Sequence, residues 1–388
     1  MVRSGLPAGP VGFLTGVGSL YIHIPFCRAR CRYCSFSSFA GLESLHQRYI
    51  GAVCREIARH AGGNRIDTLF LGGGTPTVLD REHLAAIMRR CRDAFEFDQA
   101  AEISLEANPD TVRADDLNVL RKQGFNRISL GIQSFSDDEL KTLGRIHDSR
   151  RARQAVADAR AAGFDNLSID LMYGLPGQTA ASWRATLERA LSSEPEHLSA
   201  YQLSIEEGTE FAERADRGEL LLPDEEVIAE MDEITSSLTR GAGLRHYEIS
   251  NYARPGRACR HNLVYWNNEP YLGFGAGAVS YQEGVRRSRI KDPQIYCYTV
   301  EQGREPVAAS ERLEPIDSFK ETVIMGLRLV DGVSEQRLRQ RYGLGLAEVY
   351  GKTLDSLRDK GLLLFDDGHL RLSGRGRSLA NLVMAELV

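Results

Sequence analysis

The chain has no surplus of positive charge, no framework of cysteines, no long apolar run, and no fourth cysteine beside a cluster of three. Its 48 Lys and Arg against 53 Asp and Glu leave a net charge of -5, which excludes a chain-wide electrostatic attraction to nucleic acid. Seven cysteines, an odd number without regular spacing, speak against a secreted disulfide scaffold and for a reducing cytoplasm. Up to Gly18 the only basic residue is Arg3, and no apolar core followed by a cleavage site marks a signal peptide. Nor does any run approach a membrane span. What is present is 388 residues with 42% hydrophobic content, enough for a large core and two or three domains.

The absent fourth cysteine is the most informative gap. Cys27, Cys31 and Cys34 stand in YIHIPFCRARCRYCSF with C-x3-C-x2-C spacing, three thiolates in one short loop. A closed structural zinc site takes four ligands, whereas a four-iron cluster held by three cysteines keeps one iron free for a substrate or cofactor. The competing readings are a zinc site completed by His23 and three reduced bystanders. The cluster is favoured because the loop leaves an apolar strand and ends in aromatics. Cys54 and Cys91 fall on helical patterns and read as small buried hydrophobes, and Cys297 has no assigned role.

From residue 19 to about 205, short β-rich runs alternate with helical patterns such as Leu42 to His60 and Arg81 to Phe95. This order specifies a parallel sheet of βα units. Strands are expected near Ser19 to Ile24, Thr68 to Leu71, Ala101 to Glu106, Asn126 to Gln133, Asn166 to Leu171 and His197 to Leu203. Six units make an incomplete barrel, a partial (β/α)6 fold of the α/β class. A parallel strand buried on both faces is apolar nearly throughout, yet Ser104 and Glu106, Ser129, Gly131 and Gln133, and Ser168 and Asp170 share one parity in three strands. Ile103, Leu105, Ile128, Leu130, Ile132, Leu167 and Ile169 occupy the other. Helices would cover the apolar side, and the polar side would line a lumen with Glu106, Gln133 and Asp170 at the C-terminal strand ends, where barrel sites lie. Gly72-Gly73-Gly74-Thr75-Pro76 follows the second strand, and its glycines let the backbone approach a ligand closely.

Taken together, YIHIPFC (21 to 27), CRYCSF (31 to 36), GGGTPT (72 to 77), SLEANP (104 to 109), NRISLGIQSF (126 to 135), GRIHD (144 to 148), IDLMYGLPGQT (169 to 179) and HNLVYW (261 to 266) resemble the HemN/HemW group of radical S-adenosylmethionine (SAM) proteins. The resemblance runs over nearly the whole chain. It implies a [4Fe-4S] cluster on Cys27, Cys31 and Cys34, with the amino and carboxylate groups of SAM on the fourth iron so that an electron can cleave the sulfonium. It also implies SAM contacts from Tyr21, Tyr33, Gly73, Gly74, Thr75, Glu106, Gln133, Arg145 and Asp170. Tyr33 would lie near the adenine, and Glu106 and Asp170 suit ribose hydroxyls.

Two activities share this core in the group. Oxygen-independent coproporphyrinogen III dehydrogenases oxidatively decarboxylate propionates, and a second branch binds heme and hands it to acceptor proteins. The dehydrogenases resemble C-x3-C-x2-C-x-C, whereas Phe36 stands at that last position here. They also carry a longer segment before the first strand, and HNLVYW resembles the HNxxYW motif of the heme-chaperone branch. All three features point to a heme chaperone. The resemblance then implies heme as a further cofactor, a heme-acceptor protein, an electron donor such as a flavodoxin or ferredoxin, and peripheral membrane association. His261 is the expected axial ligand, with Tyr265 and Trp266 against the macrocycle and Cys259 as rival ligand. One departure from the group is Val279 in GFGAGAVSY, where a histidine is expected.

The expected domains are an N-terminal extension over 1–18, the barrel with the HNxxYW segment over 19–300, and a HemN-like domain over 310–388. That last domain reads as helices near Ser318 to Leu329, Ser334 to Tyr342 and Leu346 to Lys360, a hairpin turning at Asp366-Asp367-Gly368, and a helix from Arg375. This order is winged-helix-like. In the candidate recognition helix, however, Lys352, Arg358 and Lys360 are offset by Glu348, Asp355 and Asp359, so phosphate binding is not expected.

Overall fold

Alternation within the strands decides how the chain folds, because a period of two sends successive side chains to opposite faces of a sheet. In the computed structural model, which describes residues 16–62 and 64–388, six parallel strands form as the pattern requires. They are β1 (Ser19–Ile24), β2 (Arg65–Gly73), β3 (Glu96–Ala107), β4 (Arg127–Gln133), β5 (Leu167–Tyr173) and β6 (His197–Gln202). Most of the expected N-terminal extension lies outside the described residues.

The sheet is wider than six strands. β7 (Arg245–Glu248) and β8 (Asn251–Ala253) add antiparallel beyond β6, and β9 (Leu272–Phe274) pairs parallel with β1, so the order is β7-β8-β6-β5-β4-β3-β2-β1-β9. The two edges grow from segments of three or four residues, too short to show a period. Gly273 permits the join on the β9 side, since a Cβ there would meet the Val279 carbonyl oxygen at 2.0 Å. Val279 itself opens a separate three-stranded antiparallel sheet and pairs with Ser288.

The apolar parity, with Ile103, Leu105, Ile128, Leu130, Ile132, Leu167 and Ile169, joins one core with the surrounding helices. The helix His46–Arg59 contributes Tyr49, Ile50, Val53 and Ile57 to it. A second core gathers Phe319, Val323, Leu338, Tyr342, Leu354, Leu357, Leu370 and Val383 from the C-terminal segment. There the hairpin Leu363–Asp366 and His369–Leu372 turns through Asp367 and Gly368, both with positive φ (49° and 72°), as a tight two-residue turn demands. The long helix expected over Leu346 to Lys360 is broken. Gly351 takes φ 45° and splits it into Leu346–Tyr350 and Lys352–Asp359, a conformation that glycine adopts at no steric cost.

Candidate functional site

Register places the inward parity in layers. Thr68 pairs with Ser19 and Glu102, Ser104 with Arg127, Glu106 with Ser129, Gly131 with Asp170, and Ser168 with His197. The lumen is therefore polar along its length. It encloses a cavity of about 260 Å³ between Glu106, Asp170 and Tyr201 on one side and Arg127, His197 and His261 on the other.

At the C-terminal strand ends the cysteine loop closes over the lumen. The Cys34 amide donates to Cys31 O at 3.2 Å, and the Cys27 and Arg32 amides donate to Phe39 O and Leu143 O, so the loop is pinned at both sides by backbone bonds. Tyr33 packs with Leu143, Leu175, Leu203 and Phe211, and its phenol is pushed up, chiefly by burial. Arg145 donates to Cys31 Sγ at 3.4 Å, to Asn108 Oδ1 at 2.7 Å and to Gly131 O at 2.6 Å, which sets a cation against the loop. Burial raises the Cys27 and Cys34 thiols, so metal binding, which needs thiolates, has to overcome that preference.

The glycine turn supports this loop. Gly73 adopts φ 114°, and a Cβ there would lie 2.5 Å from the His23 ring. At Gly74 a Cβ would lie 2.6 Å from Phe26 O and 3.0 Å from Cys27 Sγ. Thr75 is buried; its hydroxyl accepts from Asn108 Nδ2 at 3.0 Å and sits 3.6 Å from Cys27 Sγ. His23 is bonded at both ring nitrogens, to the Tyr21 hydroxyl at 2.9 Å and to Ser37 O at 3.0 Å. His23 is therefore already satisfied where a zinc ion would need it as fourth ligand.

The carboxylates divide in character. Glu106 accepts the Gly73 amide at 3.1 Å, and burial together with the nearby Asp170 pushes its carboxyl up to about 8. Asp170 instead accepts three hydroxyls, from Ser129 and Ser199 at 2.7 Å and from Ser168 at 3.0 Å. Gln133 departs from strand geometry. A register shift follows Gly131 and Gln133 itself takes φ 68°, a conformation uncommon outside glycine. Gln133 Oε1 and Arg145 Nε are both buried with no partner.

The closed end of the lumen departs from expectation. HNLVYW lies within a helix, Arg260–Trp266, whose first amides, Arg260 N and His261 N, donate to the buried Glu102 carboxylate at 3.1 and 3.2 Å. This arrangement offers an anion to orphan donors at a helix start. His261 is only 1% exposed and stacks on Phe70 at 5.2 Å. Thr68 donates to Ser19 and so accepts from His261 Nδ1 at 2.8 Å; Nε2, 2.9 Å from the Tyr265 hydroxyl, accepts that proton. The lone pair that would bind iron is thus occupied, at the end of the barrel opposite the cysteine loop, and burial lowers the imidazole to about 3. Cys259 is no freer: burial raises its thiol to about 12 and its sulfur lies 3.5 Å from Glu102 Oε1. In this structure both side chains are therefore buried and hydrogen-bonded within the protein rather than presented at an open face. Trp266 lies under the Arg328 guanidinium at 4.4 Å rather than on an open face.

Residues 21–190 match the radical SAM superfamily, and residues 313–379 match the HemN C-terminal domain. A protein named heme chaperone HemW from Bacillus subtilis is 37% identical over 94% of this chain and 97% of its own. Its namesake from Mycobacterium tuberculosis (strain ATCC 25618 / H37Rv) is 36% identical over 99% and 96%. The chain belongs to the HemW family of radical SAM proteins. Escherichia coli HemN, a coproporphyrinogen III oxidase described as a radical SAM enzyme, superimposes with a TM-score of 0.83 at 26% identity, covering 96% of this chain and 90% of that one.

Three cysteines on one pinned loop, the space left at Gly74 beside Cys27 Sγ, and unpartnered polar atoms on Gln133 and Arg145 fit a [4Fe-4S] cluster with a polar ligand beside it. Cys27, Cys31 and Cys34 would hold the cluster, while Gly73, Glu106, Gln133, Arg145 and Asp170 would position SAM. When bound, the cluster supplies an electron to the SAM sulfonium. The protein's own part is to hold Asp170 under three hydroxyls, keep Glu106 against the Gly73 amide, and fix Arg145 against the loop. Arg127, His197, Ser199 and Tyr201 also face the lumen. Extending the same parity back along β4 and across β6 would have found them.

Proposed function

We propose that this protein is a heme-binding chaperone that carries a SAM-binding [4Fe-4S] cluster and passes heme to an acceptor protein. The observation that carries the reading is identity of 36–37% with chains named heme chaperone HemW over 94–99% of the sequence. Phe36 supports it: the side chain is 67% exposed and stands where the dehydrogenases carry a further cysteine. The reading does not rest on His261 or Cys259. An electron donor of the flavodoxin or ferredoxin kind, a heme-acceptor protein and peripheral membrane association complete it, and no helix among the described residues is long and apolar enough to cross a membrane.

A second reading, oxidative decarboxylation of coproporphyrinogen III, has one observation in its favour, the near-complete superposition on E. coli HemN. Anaerobic reconstitution followed by parallel assays separates the two. The chaperone reading expects about one heme per chain and no vinyl-group formation with SAM and reductant supplied. Conversion of coproporphyrinogen III to protoporphyrinogen IX would reverse it.

A further inference from the structure

Arg127 has no role in the site as described, yet it is among the largest fully buried side chains, 2% exposed. It opens β4 facing inward, opposite Ser104 and one layer beneath the pair of Glu106 and Ser129. Its Nε is buried without a hydrogen-bond partner, and among the described residues the guanidinium forms no ion pair. A buried arginine that lacks its carboxylate is costly to the fold. The neighbouring acids are engaged elsewhere: Glu102 accepts from Arg260 N and His261 N, and Asp170 accepts three serine hydroxyls. What the guanidinium faces instead is the lumen cavity of about 260 Å³, bounded also by Asp170, Glu106, His197, His261 and Tyr201.

The remaining lining chemistry suits an acceptor-rich guest. His197 is bonded to Ser168 at 2.8 Å and to Tyr247 at 2.8 Å, and burial holds it and His261 neutral, leaving Arg127 as the cavity's cation. The cavity is smaller than the roughly 300–1,000 Å³ that encloses a whole drug-sized ligand, so a macrocycle does not fit inside while a short carboxylate arm does. We propose that Arg127 receives a carboxylate in the lumen, bound through the guanidinium fork. On the reading given above, on which this assignment of the source rests, the carboxylate is a propionate arm of the tetrapyrrole; a free short-chain monocarboxylate is the other source of the same chemistry.

The test compares hemin with its dimethyl ester, and sodium propionate alone, on the full chain as wild type, Arg127→Met and Arg127→Lys, with thermal melts as the folding control. Wild type is expected to bind the diacid about tenfold to a hundredfold more tightly than the diester, the range of a charge-assisted hydrogen bond. Arg127→Met should bring the two within about twofold, and Arg127→Lys, which keeps the charge and loses the fork, should fall between. If sodium propionate raises the wild-type melting temperature but not that of Arg127→Met, while diacid and diester bind alike, the source is the free monocarboxylate and the arginine assignment stands. Equal binding of diacid and diester by wild type, with no propionate effect, overturns the proposal without recourse to any variant. Wild type that binds no hemin at all refutes the chaperone reading instead, and the propionate melt then decides the Arg127 site by itself.

Discussion

Replacing Gly74 with alanine tests whether the glycine turn is built around the cysteine loop. The added Cβ would sit 2.6 Å from Phe26 O and 3.0 Å from Cys27 Sγ. Neither neighbour can yield cheaply. Phe26 O accepts the Thr75 amide at 2.8 Å, and the Gly74 amide donates to Ile24 O at 2.8 Å, so withdrawal of the loop strains or breaks a buried backbone bond. Overpacking of this kind costs about 1–3 kcal/mol, and because the clash lies on a cluster ligand the loop's competent geometry should become roughly fivefold to a hundredfold rarer. Gly73→Ala adds a left-handed backbone at φ 114° and a contact of 2.5 Å with the His23 ring. Gly241→Ala is the control, since nothing lies within 4 Å of its Cβ position. Iron and sulfide per chain after anaerobic reconstitution, read beside melting temperature, should fall for Gly74→Ala and Gly73→Ala and hold for Gly241→Ala. Full cluster content with an unchanged melt in Gly74→Ala would refute the reasoning.

Alanine at Cys27, Cys31 or Cys34 should each remove most of the iron and sulfide, whereas Cys54→Ala and Cys91→Ala should not; a Cys31→Ala protein with full cluster content would contradict the three-thiolate assignment. Asp170→Ala leaves three serine hydroxyls without their acceptor and should weaken SAM binding about tenfold to a hundredfold with the cluster intact, as read by anaerobic equilibrium dialysis. Glu106 holds its proton to about pH 8 in the folded chain but loses it near pH 4.3 when unfolded. Between these values the folded state binds more protons, so rising pH should erode stability by up to about 1.4 kcal/mol per unit when SAM is absent. Glu106→Gln should flatten that slope in urea titrations, and an unchanged slope would reject the assignment. His261→Ala strips hydrogen bonds from Thr68 and Tyr265 and should cost on the order of 3 kcal/mol in denaturation while leaving the spectrum of heme-loaded protein in place; a shifted spectrum at full stability would return His261 to the iron.

The sequence by itself determined the parallel strands, the inward row of Glu106, Ser129 and Asp170, and the cysteine loop, because strand parity and ligand spacing are local properties that tertiary context had no reason to override. The same parity places Arg127 and His197 in the lumen, so these were legible although not read. The edges of the sheet were not: β7, β8 and β9 are three or four residues each, and they become strands only because β6 and β1 offer unpaired backbone. The twist of Gln133 into positive φ depends on a register shift against β5, which exists only once both strands are side by side. HNLVYW shows the division most sharply. Its residue types allow an imidazole ligand flanked by aromatics, but whether a histidine lone pair is open to iron is decided by its neighbours, and here Glu102 and Thr68, far away in the chain, draw the helix start and its histidine into the floor of the barrel, where Tyr265 on the same helix takes the other ring nitrogen.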